Sequence, residues 1–598
     1  MNFLKSLVKK YFIHFTYFYV HLRSKLFIAL GLSVVVGLLD GFGLTMFLPL
    51  LQMVNEDSNV DADGLGNLSF IVTTIESLGI DLTISSILIV ILFFFSLKGI
   101  VKFFEAYYKV NVQQYFIKKL RFKSFDKLSN YNYKSFVTVD SGRIQNTLSS
   151  EVARVSTAYQ SYLGTIQAGL MVIVYISLAL LSNPRFAILV AIGGMLSNLV
   201  YKRIYTRTKE TSKKITSLGH EYQNLLIQNI AFYKYLKATG YIHNYNIKLR
   251  KSIAQIEATH RQIGFYNSIL LASREPLVIS VVVIVIIIQV SFFSENLGLI
   301  ILSLLFFYRS LNSLMTLQTQ WNNFLNVSGS LSNMTSFMEE LSQSQEKNGS
   351  TELQEFKEYI QTDKLSVSYD GTKVLDDITL KIYKNKTVAF VGESGSGKTT
   401  LINVLAGLIP LDSGNITIDG CFISNIYLPS YRKRIGYITQ EPVIFSDSVY
   451  NNVTLWADKT NENLARFWET LKKAAISDFV LDLPDRENSP LGNNGILISG
   501  GQKQRLSIAR ELYKDIDILI MDEATSALDS ETEKIIQDNI NALKGEYTIL
   551  IVAHRLSTIK EADKVILLDK GRITGEGNFE QLLTVSQKFR NMATLQEF

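Results

Sequence analysis

Residues 387–408 read TVAFVGESGSGKTTLINVLAGL, and the architecture of the C-terminal half can be worked out from this stretch. Five mostly apolar residues precede a glycine-rich loop, and an apolar run typical of a buried helix follows it. The loop fits the pattern G-x-x-x-x-G-K-[ST], whose glycines let backbone N–H groups turn toward phosphate oxygens at the start of a helix. The sequence therefore predicts a strand, a phosphate-binding loop and a helix, the centre of an α/β nucleotide-binding domain.

The loop supplies most of the predicted nucleotide ligands. Lys398 is expected to reach the β- and γ-phosphates, and the hydroxyl of Thr399 is expected to bind Mg²⁺. The loop residues predicted to contact the nucleotide are Gly392, Ser394, Gly395, Ser396, Gly397, Lys398, Thr399 and Thr400.

A second apolar strand, at 516–521, ends in two adjacent acids. We expect Asp522 to hold Mg²⁺ through water. Glu523 is expected to polarise the attacking water, since phosphoryl transfer needs a residue that positions its nucleophile. Acidic pairs at strand ends are common, but this pair follows a phosphate-binding loop, which favours a hydrolytic role.

Residues 498–505, ISGGQKQR, place a serine and two glycines at the start of a helix, an arrangement that binds anions. This segment resembles the signature sequence of ABC transporters. Four further positions match motifs of that family in the same order along the chain: Tyr369 the A-loop, Gln440 the Q-loop, Asp529 the D-loop and His554 the switch histidine.

The resemblance implies a role for each matched residue. In the family the A-loop aromatic stacks on adenine, the Q-loop glutamine contributes to the Mg²⁺ site, and the switch histidine and the Q-loop complete a catalytic set with the acid at 523. The signature Ser and Gly contact the γ-phosphate that the other subunit binds. These implied ATP ligands are Tyr369, Gln440, Ser499, Gly500, Gly501, Gln502 and Asp529, with Gln440 and His554 also catalytic.

Two positions depart from the family pattern. Ile498 stands where Leu is usual, and this change conserves volume, so we expect it to be harmless. Asn493 stands where exporters usually carry an acid, which puts the usual electrostatic contact with a coupling loop in doubt.

Composition and charge divide the chain of 598 residues into two different halves. Residues 1–350 hold 32 Lys and Arg against 19 Asp and Glu, a net charge of +13, whereas residues 351–598 hold 28 against 35, a net charge of −7. The hydrophobic fraction of 47% excludes a disordered chain, and the single cysteine excludes an intrachain disulfide. Nucleic-acid binding is disfavoured because the basic excess follows the expected membrane topology.

The first half carries six apolar runs, each near the length of about 20 residues that a helix needs to cross a bilayer. The runs lie at about 26–54, 84–108, 159–182, 185–205, 264–293 and 297–324. The basic segments 109–158 and 202–261 are predicted to be cytosolic extensions of these helices, each turning at a short coupling segment near 131–140 and 229–237. The acidic segment 55–83, which lacks Lys and Arg, is then outside the cell.

Six spans followed by one such ATPase domain resemble the half-transporter of the ABC exporter group. The predicted fold is a polytopic α-helical membrane domain joined to an α/β P-loop ATPase domain, in a bacterial inner membrane with both termini cytosolic. The predicted domains are an interfacial elbow helix at 1–25, the six-helix domain at 26–335, a linker at 336–355 and the nucleotide-binding domain at 356–598.

The family resemblance also implies a dimer, because one chain holds one phosphate loop and one signature segment. A C2 homodimer is the simplest solution, and the presence of Glu523 and His554 favours two equivalent sites. A heterodimer is also compatible with these residues. ATP binding would close the dimer and open the membrane cavity outward, and hydrolysis would reset it.

The transported substrate must be inferred from charged residues within the spans, which are costly there and usually face a cavity. Lys98, Arg274 and Arg309 together suggest a basic belt suited to an anionic headgroup such as pyrophosphate. The alternative is structural: Arg274 pairs with Glu275 or Asp40, and Lys98 reaches an interface.

The external segment 66–80 is a second indication of the substrate class, because its sequence predicts a short amphipathic helix between the first two spans. Bacterial flippases of lipid-linked oligosaccharides, which the chain resembles in this respect, have an external helix there and basic cavity residues. A plain surface cap is the other interpretation. The leading hypothesis is an ATP-driven flippase of a lipid-linked saccharide. The alternative is an exporter of drugs, peptides or other lipids, and an ATP-gated channel or regulator is disfavoured because no hydrolytic residue is replaced.

Overall fold

The computed structural model of the chain describes residues 13–47, 49–50, 53, 74, 77, 79, 83–182, 184–293, 297–369, 371–522, 534, 538–539, 541–552 and 559–594. It divides into two compact units, which are described separately. The first contains Met1–Tyr131 and Thr138–Ser344, and the second contains Asn132–Val137 and Gln345–Phe598.

The first unit is helical. Residues 132–137, which contain most of the short helix Tyr133–Thr138, belong to the second unit instead. In chain order the helices are α1 (Ile13–Leu22), α2 (Ser24–Thr45), α3 (Ile84–Ser129), α4 (Tyr133–Thr138), α5 (Ser141–Asn146), α6 (Val152–Ser182), α7 (Pro184–Ala231), α8 (Tyr233–Ala238), α9 (Ile242–Phe293) and α10 (Leu297–Gln343), with a π-helical turn at Thr147–Glu151.

Six of the helices in the described part of the chain are longer than 20 residues, and each contains one predicted apolar run in whole or in part. Three of the described helices are both long and apolar enough to cross a membrane, namely Ser24–Thr45, Ile84–Ser129 and Ser141–Leu181. The short helices α4 and α8 lie at the two predicted coupling segments. The predicted external helix at 66–80 falls largely outside the described residues, as do positions 1–12 of the predicted elbow.

The described part of the elbow, α1, is held by aromatic packing. The buried ring of Phe18 lies 5.7 Å from Phe116 of α3 and 5.5 Å from both Tyr159 and Tyr162 of α6, measured between ring centroids. Aromatic pairs at such separations stabilise by about 0.5–1.5 kcal/mol beyond the area they bury. This contact set fixes α1 against two of the long helices.

The last long helix extends further than the sequence indicated. α10 ends at Gln343, so residues 336–343 of the predicted linker are helical. Phe337 and Leu341 are buried and pack in one cluster with Ile144, while Lys127 Nζ donates a hydrogen bond to the carbonyl of Met338 at 3.0 Å. These tertiary contacts keep the final turns helical, and the division between the two units falls at Ser344.

The second unit is an α/β domain with two sheets. Its strands are β1 (Tyr359–Tyr369), β2 (Thr372–Tyr383), β3 (Thr387–Val391), β4 (Ser413–Ile418), β5 (Cys421–Phe422), β6 (Ile435–Ile438), β7 (Ile518–Asp522), β8 (Thr548–Val552), β9 (Lys564–Asp569) and β10 (Arg572–Gly577). The antiparallel sheet has the order β2-β1-β4-β5, and the larger sheet has the order β10-β9-β3-β8-β7-β6.

In the larger sheet the five strands from β9 to β6 are parallel, and β10 adds an antiparallel edge. Every residue of β3 and β8 is buried, as expected for parallel strands covered on both faces. The remaining described α-helices are α11 (Lys398–Leu405), α12 (Leu428–Lys433), α13 (Val449–Thr454), α14 (Asn461–Lys473), α15 (Ser477–Leu481), α16 (Gly500–Tyr513), α17 (Phe579–Val585) and α18 (Gln587–Thr594). The carboxyl ends of the parallel strands meet at one edge, where α/β proteins bind ligands.

Candidate functional site

The predicted phosphate-binding loop connects β3 to α11, as the sequence indicated. Its tip, at Glu393, Ser394 and Gly395, is exposed. A Cβ at Gly392 would lie 2.3 Å from the carbonyl oxygen of Leu568, so the backbone of β9 leaves no room for a side chain at that position. The glycine is therefore required by packing as well as by any approach of phosphate to the backbone.

The side chain of Lys398 lies beneath this loop and is 5% exposed. Its Nζ donates hydrogen bonds to the carbonyls of Gly392, at 2.8 Å, and Glu393, at 2.9 Å. The ammonium group is therefore held against the backbone that begins the loop. Thr399 at the start of α11 is exposed and Thr400 is half-buried.

Asp522 ends β7, between the neighbouring strands β6 and β8. Ile438 of β6 pairs with Met521, so Gln440, two residues beyond β6, follows the strand next to Asp522, and its side chain is exposed. These two predicted Mg²⁺ ligands thus follow adjacent strands at one edge of the sheet.

Tyr437, which the sequence analysis did not single out, belongs to the same edge. Burial raises the pKa of its hydroxyl, and the negative charge of Asp522 raises it further. The hydroxyl donates a hydrogen bond to Asn403 Oδ1 at 2.9 Å, which ties β6 to α11. A tyrosine three residues before Gln440 was the available signal, but only its hydrogen bond to Asn403 shows that it faces α11.

The signature segment begins α16, with Ser499 as its N-cap. Ser499 Oγ accepts a hydrogen bond from the N–H of Gln502 at 3.3 Å, and Gln502 Oε1 accepts one from the N–H of Ser499 at 2.8 Å. This capping box fixes the helix start, while Ser499 and Gly500 stay exposed. Asn493, which replaces the usual acid, accepts a hydrogen bond from Ser446 Oγ at 2.9 Å, so its amide is engaged within the unit.

Tyr369, the predicted adenine-stacking residue, ends β1 beside the short helix α4. Lys134 Nζ lies 5.7 Å from the centroid of the Tyr369 ring and 3.0 Å from Asp412 Oδ1. Asp412 also accepts a hydrogen bond from the N–H of Ser368 at 2.5 Å. One carboxylate therefore links α4 to the residue immediately before Tyr369.

The ion pair between Lys134 and Asp412 persists over the physiological pH range. Partial burial by itself would raise the pKa of the Asp412 carboxyl, but the hydrogen bonds from Lys134 and the N–H of Ser368 outweigh it and lower that pKa. A lowered folded-state pKa adds stability above the unfolded value of about 3.9, and this stability is lost as the pH falls through the folded value.

We expect the substitution Lys134→Met to lower substrate-stimulated ATP hydrolysis by about 2- to 5-fold, an effect of the size of an exposed ion pair. The reason is that the ion pair joins the end of β1 to α4, the short helix that lies between α3 and α5 in the chain. ATPase rates of the full chain in nanodiscs measure this. Lys134→Arg keeps the positive charge and leaves Asp412 in place, so it should retain stimulation, and a loss as large as that of Lys134→Met would contradict a role for the ion pair.

In the helical unit, two of the three predicted substrate residues converge on one acid. Asp40 of α2 is 2% exposed, and Lys98 Nζ lies 2.5 Å from its Oδ1. The hydroxyl of Tyr175 donates a hydrogen bond to Oδ2, and Arg309 Nε lies 3.8 Å from the same oxygen. Four helices, α2, α3, α6 and α10, thus each contribute one polar side chain.

The sequence had offered Asp40 as a partner for Arg274, and it did not anticipate Lys98 or Tyr175 beside this acid. Arg274 lies on α9, but its side chain is outside the described part of the chain. Glu523, Asp529 and His554 are likewise outside it, so their predicted roles remain predictions. In the chain, Glu523 directly follows β7, and His554 comes two residues after β8, the strand that lies between β7 and β3.

Known proteins resemble this chain either over part of its length or over almost all of it. Residues 375–526 match the family model described as ABC transporter. The chain is 40% identical over 252 residues to an ATP-dependent lipid A-core flippase of Desulfotalea psychrophila, a match covering 42% of this chain and 44% of the flippase. It is 27% identical over 571 residues to the heterocyst differentiation ATP-binding protein HepA of Nostoc sp., covering 94% and 92% of the two chains.

Two further similarities extend the comparison. A putative multidrug export ATP-binding/permease protein of Staphylococcus aureus is 42% identical over 240 residues, 40% of this chain and 41% of that protein. The solved structure of a bacterial Atm1-family ABC exporter with ATP bound superposes with a TM-score of 0.78 at 21% identity, over 95% of this chain and 98% of that one. The chain therefore combines an ABC transporter ATP-binding domain with the overall fold of an ABC exporter.

Proposed function

We propose that this chain is an ATP-driven exporter that flips an anionic glycolipid, such as a polyprenyl-pyrophosphate-linked oligosaccharide, from the inner to the outer leaflet of a bacterial inner membrane. The observation that carries the choice of substrate is the polar cluster of the helical unit. Lys98 and Arg309 share the single carboxylate of Asp40, so the cluster keeps one positive charge within apolar helices. Charged groups within apolar membrane helices usually face the bundle interior or a water-filled cavity and mark a transport pathway.

ATP is proposed to bind at the carboxyl edge of the large sheet. Lys398 and the backbone of 392–397 would hold the phosphates, and Tyr369 would stack on adenine. Glu523 would polarise the attacking water, with Gln440 and His554 completing the catalytic set. Asp522 ends β7 and Gln440 follows the adjacent strand β6, and a single strand, β8, separates β7 from the strand that leads into the phosphate loop, which supports this assignment.

Mg²⁺ fits the donor groups at this edge. The hydroxyl of Thr399, the amide oxygen of Gln440 and the carboxylate of Asp522 are hard oxygen ligands, and a site that uses few carboxylates plus phosphate oxygens is typical of Mg²⁺. The ion would neutralise charge on the phosphates.

A homodimer with six spans per chain is proposed as the working assembly. Gly500, exposed at the first position of the helix that Ser499 caps, would offer its backbone N–H to a phosphate. One copy per chain means that two chains would form two equivalent sites. Both termini and the ATPase unit would lie in the cytosol, because the Lys- and Arg-rich extensions mark the inner side.

The names of the relatives support flipping of a lipid as the transport reaction, since the chain is similar to ATP-dependent lipid A-core flippases over about two-fifths of their length. The second candidate is export of drugs, peptides or other lipids by the same ATP chemistry. It is favoured by the comparable similarity to a protein named as a multidrug exporter.

The two candidates predict different activators of ATP hydrolysis. In nanodiscs containing the full chain, undecaprenyl pyrophosphate should raise the ATPase rate about 3-fold or more, because charge-assisted contacts to phosphate are strong in a water-poor site. The matched neutral lipid, undecaprenol, and the cationic dye ethidium serve as comparison activators. Equal or greater stimulation by ethidium would favour the second candidate and overturn the first.

A further inference from the structure

The phosphate-binding loop carries an acidic side chain at its exposed tip. Glu393 directly follows Gly392, and its side chain is 68% exposed. A carboxylate is unfavourable beside a loop that would bind ATP, because like charges repel and the phosphates of ATP carry several negative charges. Lys588 Nζ of α18 lies 3.1 Å from Glu393 Oε1, so an ammonium group meets this carboxylate.

The same lysine contacts a second acid at the end of β9. Lys588 Nζ lies 2.8 Å from Oδ1 of Asp569, the last residue of that strand. The hydrogen bond to Asp569 raises the pKa of the Lys588 ammonium, and the hydrogen bond to Glu393 raises it further. The hydrogen bond from Lys588 lowers the pKa of the Asp569 carboxyl. Lys588 and Asp569 are therefore charged at physiological pH, and one ammonium bridges two carboxylates.

The helix that carries Lys588 is fixed by its first turn and by an aromatic contact. α18 begins at Gln587, and Ser586 Oγ accepts a hydrogen bond from the N–H of Phe589 at 3.2 Å. The ring of Phe589 is 2% exposed and packs edge-on against Phe579 of α17, with the ring centroids 5.5 Å apart. The backbone that presents Lys588 to the phosphate loop is thus anchored in the core of the domain.

The end of β9 and the turn after it also support the phosphate loop at two points. The carbonyl oxygen of Leu568 occupies the space that a side chain at Gly392 would need. The N–H of Gly571 donates a hydrogen bond to the carbonyl of Ser396 at 3.1 Å. These are backbone contacts, whereas Lys588 adds a contact to the tip of the loop through charged side chains.

We infer that Lys588 is a positioning residue for ATP binding, which holds the Glu393 carboxylate near the end of β9 and offsets its negative charge beside the bound phosphates. This inference rests on the proposed function, in which residues 392–397 hold the phosphates of ATP. Without the ammonium, the Glu393 side chain could turn toward the nucleotide and its charge would no longer be offset. The effect belongs to nucleotide binding, because neither side chain is proposed to touch the attacking water.

The test measures KM for ATP and kcat of the full chain in nanodiscs. Lys588→Met should raise KM about threefold, the size expected of an exposed ion pair, and leave kcat within about 1.5-fold of the wild-type value. A rise in KM at constant kcat indicates the loss of a contact that acts on binding rather than on the chemical step. Lys588→Arg keeps the charge and should hold KM near the wild-type value.

A second background separates an effect through Glu393 from a direct effect of the lysine on the nucleotide. Glu393→Gln removes the charge that Lys588 offsets while keeping the shape of the side chain. Adding Lys588→Met to Glu393→Gln should therefore raise KM by less than about 1.5-fold, since the two changes act on one interaction.

A matched control is Lys564→Met at the start of β9. Lys564 Nζ lies 2.9 Å from Glu576 Oε2, and its side chain is 31% exposed against 35% for Lys588. This variant loses a similar ion pair at the opposite end of the strand and should keep the wild-type KM. An unchanged KM in Lys588→Met, or an undiminished rise in the Glu393→Gln background, would overturn this inference while the proposed function stands. A wild type without saturable ATP hydrolysis would overturn both.

Discussion

Glu523→Gln is expected to lower the steady-state rate of ATP hydrolysis by about 100-fold or more, the usual contribution of a residue that activates a nucleophile. ATP binding should persist, because the phosphates are held by the loop that follows β3. Bound ATP that is not cleaved should accumulate a closed dimer. ATPase rate, nucleotide retention and the proportion of dimer measured by cross-linking check these three outcomes in the same preparation.

The control for this experiment is Glu546→Gln, which makes the same chemical change at an exposed acid just before β8, at the opposite edge of the sheet. We expect its ATPase rate to match that of the wild type. If Glu523→Gln hydrolyses ATP at the wild-type rate, Glu523 is not the residue that activates the attacking water. His554 then becomes the candidate for that role.

Arg510→Met is expected to destabilise the ATPase unit by about 3 kcal/mol, which lowers its melting temperature by roughly 6–12 °C. Arg510 lies on α16, is 5% exposed, and donates to the carbonyls of Asn452 at 2.6 Å and Val443 at 2.7 Å and to Asn452 Oδ1 at 3.0 Å. Methionine fills similar space but leaves buried acceptors unsatisfied. Thermal unfolding of the full chain, followed by tryptophan fluorescence, measures the change.

The same helix provides a matched comparison. Arg505 of α16 is half-buried and donates to the carbonyl of Ala475 at 2.9 Å. Arg505→Met should therefore cost only about 1 kcal/mol, the typical net value of one hydrogen bond. Equal losses for the two variants would show that the network around Asn452 adds nothing beyond ordinary surface packing.

The network at Arg510 also shows why part of the site escaped the sequence. Val443 and Asn452 both lie in the segment that follows Gln440, and Arg510 belongs to the helix that Ser499 caps. Nothing in the spacing of these residues predicts that one guanidinium joins the Q-loop region to the signature helix. The contact is nonlocal, over 58 residues, and it satisfies backbone groups that carry no sequence signal.

Sequence by itself was sufficient where the chemistry is local. A phosphate-binding loop is defined by glycines and a lysine within nine residues, and the structure places it between β3 and α11 as predicted. The capping box of Ser499 and Gln502 and the short helices at both coupling segments are local in the same way. Hydrophobic run length likewise indicated six long helices, because helix formation along an apolar run depends mainly on neighbouring residues.

Tertiary structure alone decided which charges face each other. Lys98 and Arg309 look equivalent in sequence, as isolated cations in apolar runs, but only the packing of α2, α3, α6 and α10 brings Asp40 within 2.5 Å of one and 3.8 Å of the other. Tertiary contacts also extend α10 to Gln343, beyond the predicted start of the linker. The physical reason is the same in both cases: the energy of a buried charge or of a helix end depends on partners that are distant in the chain, and sequence spacing does not encode them.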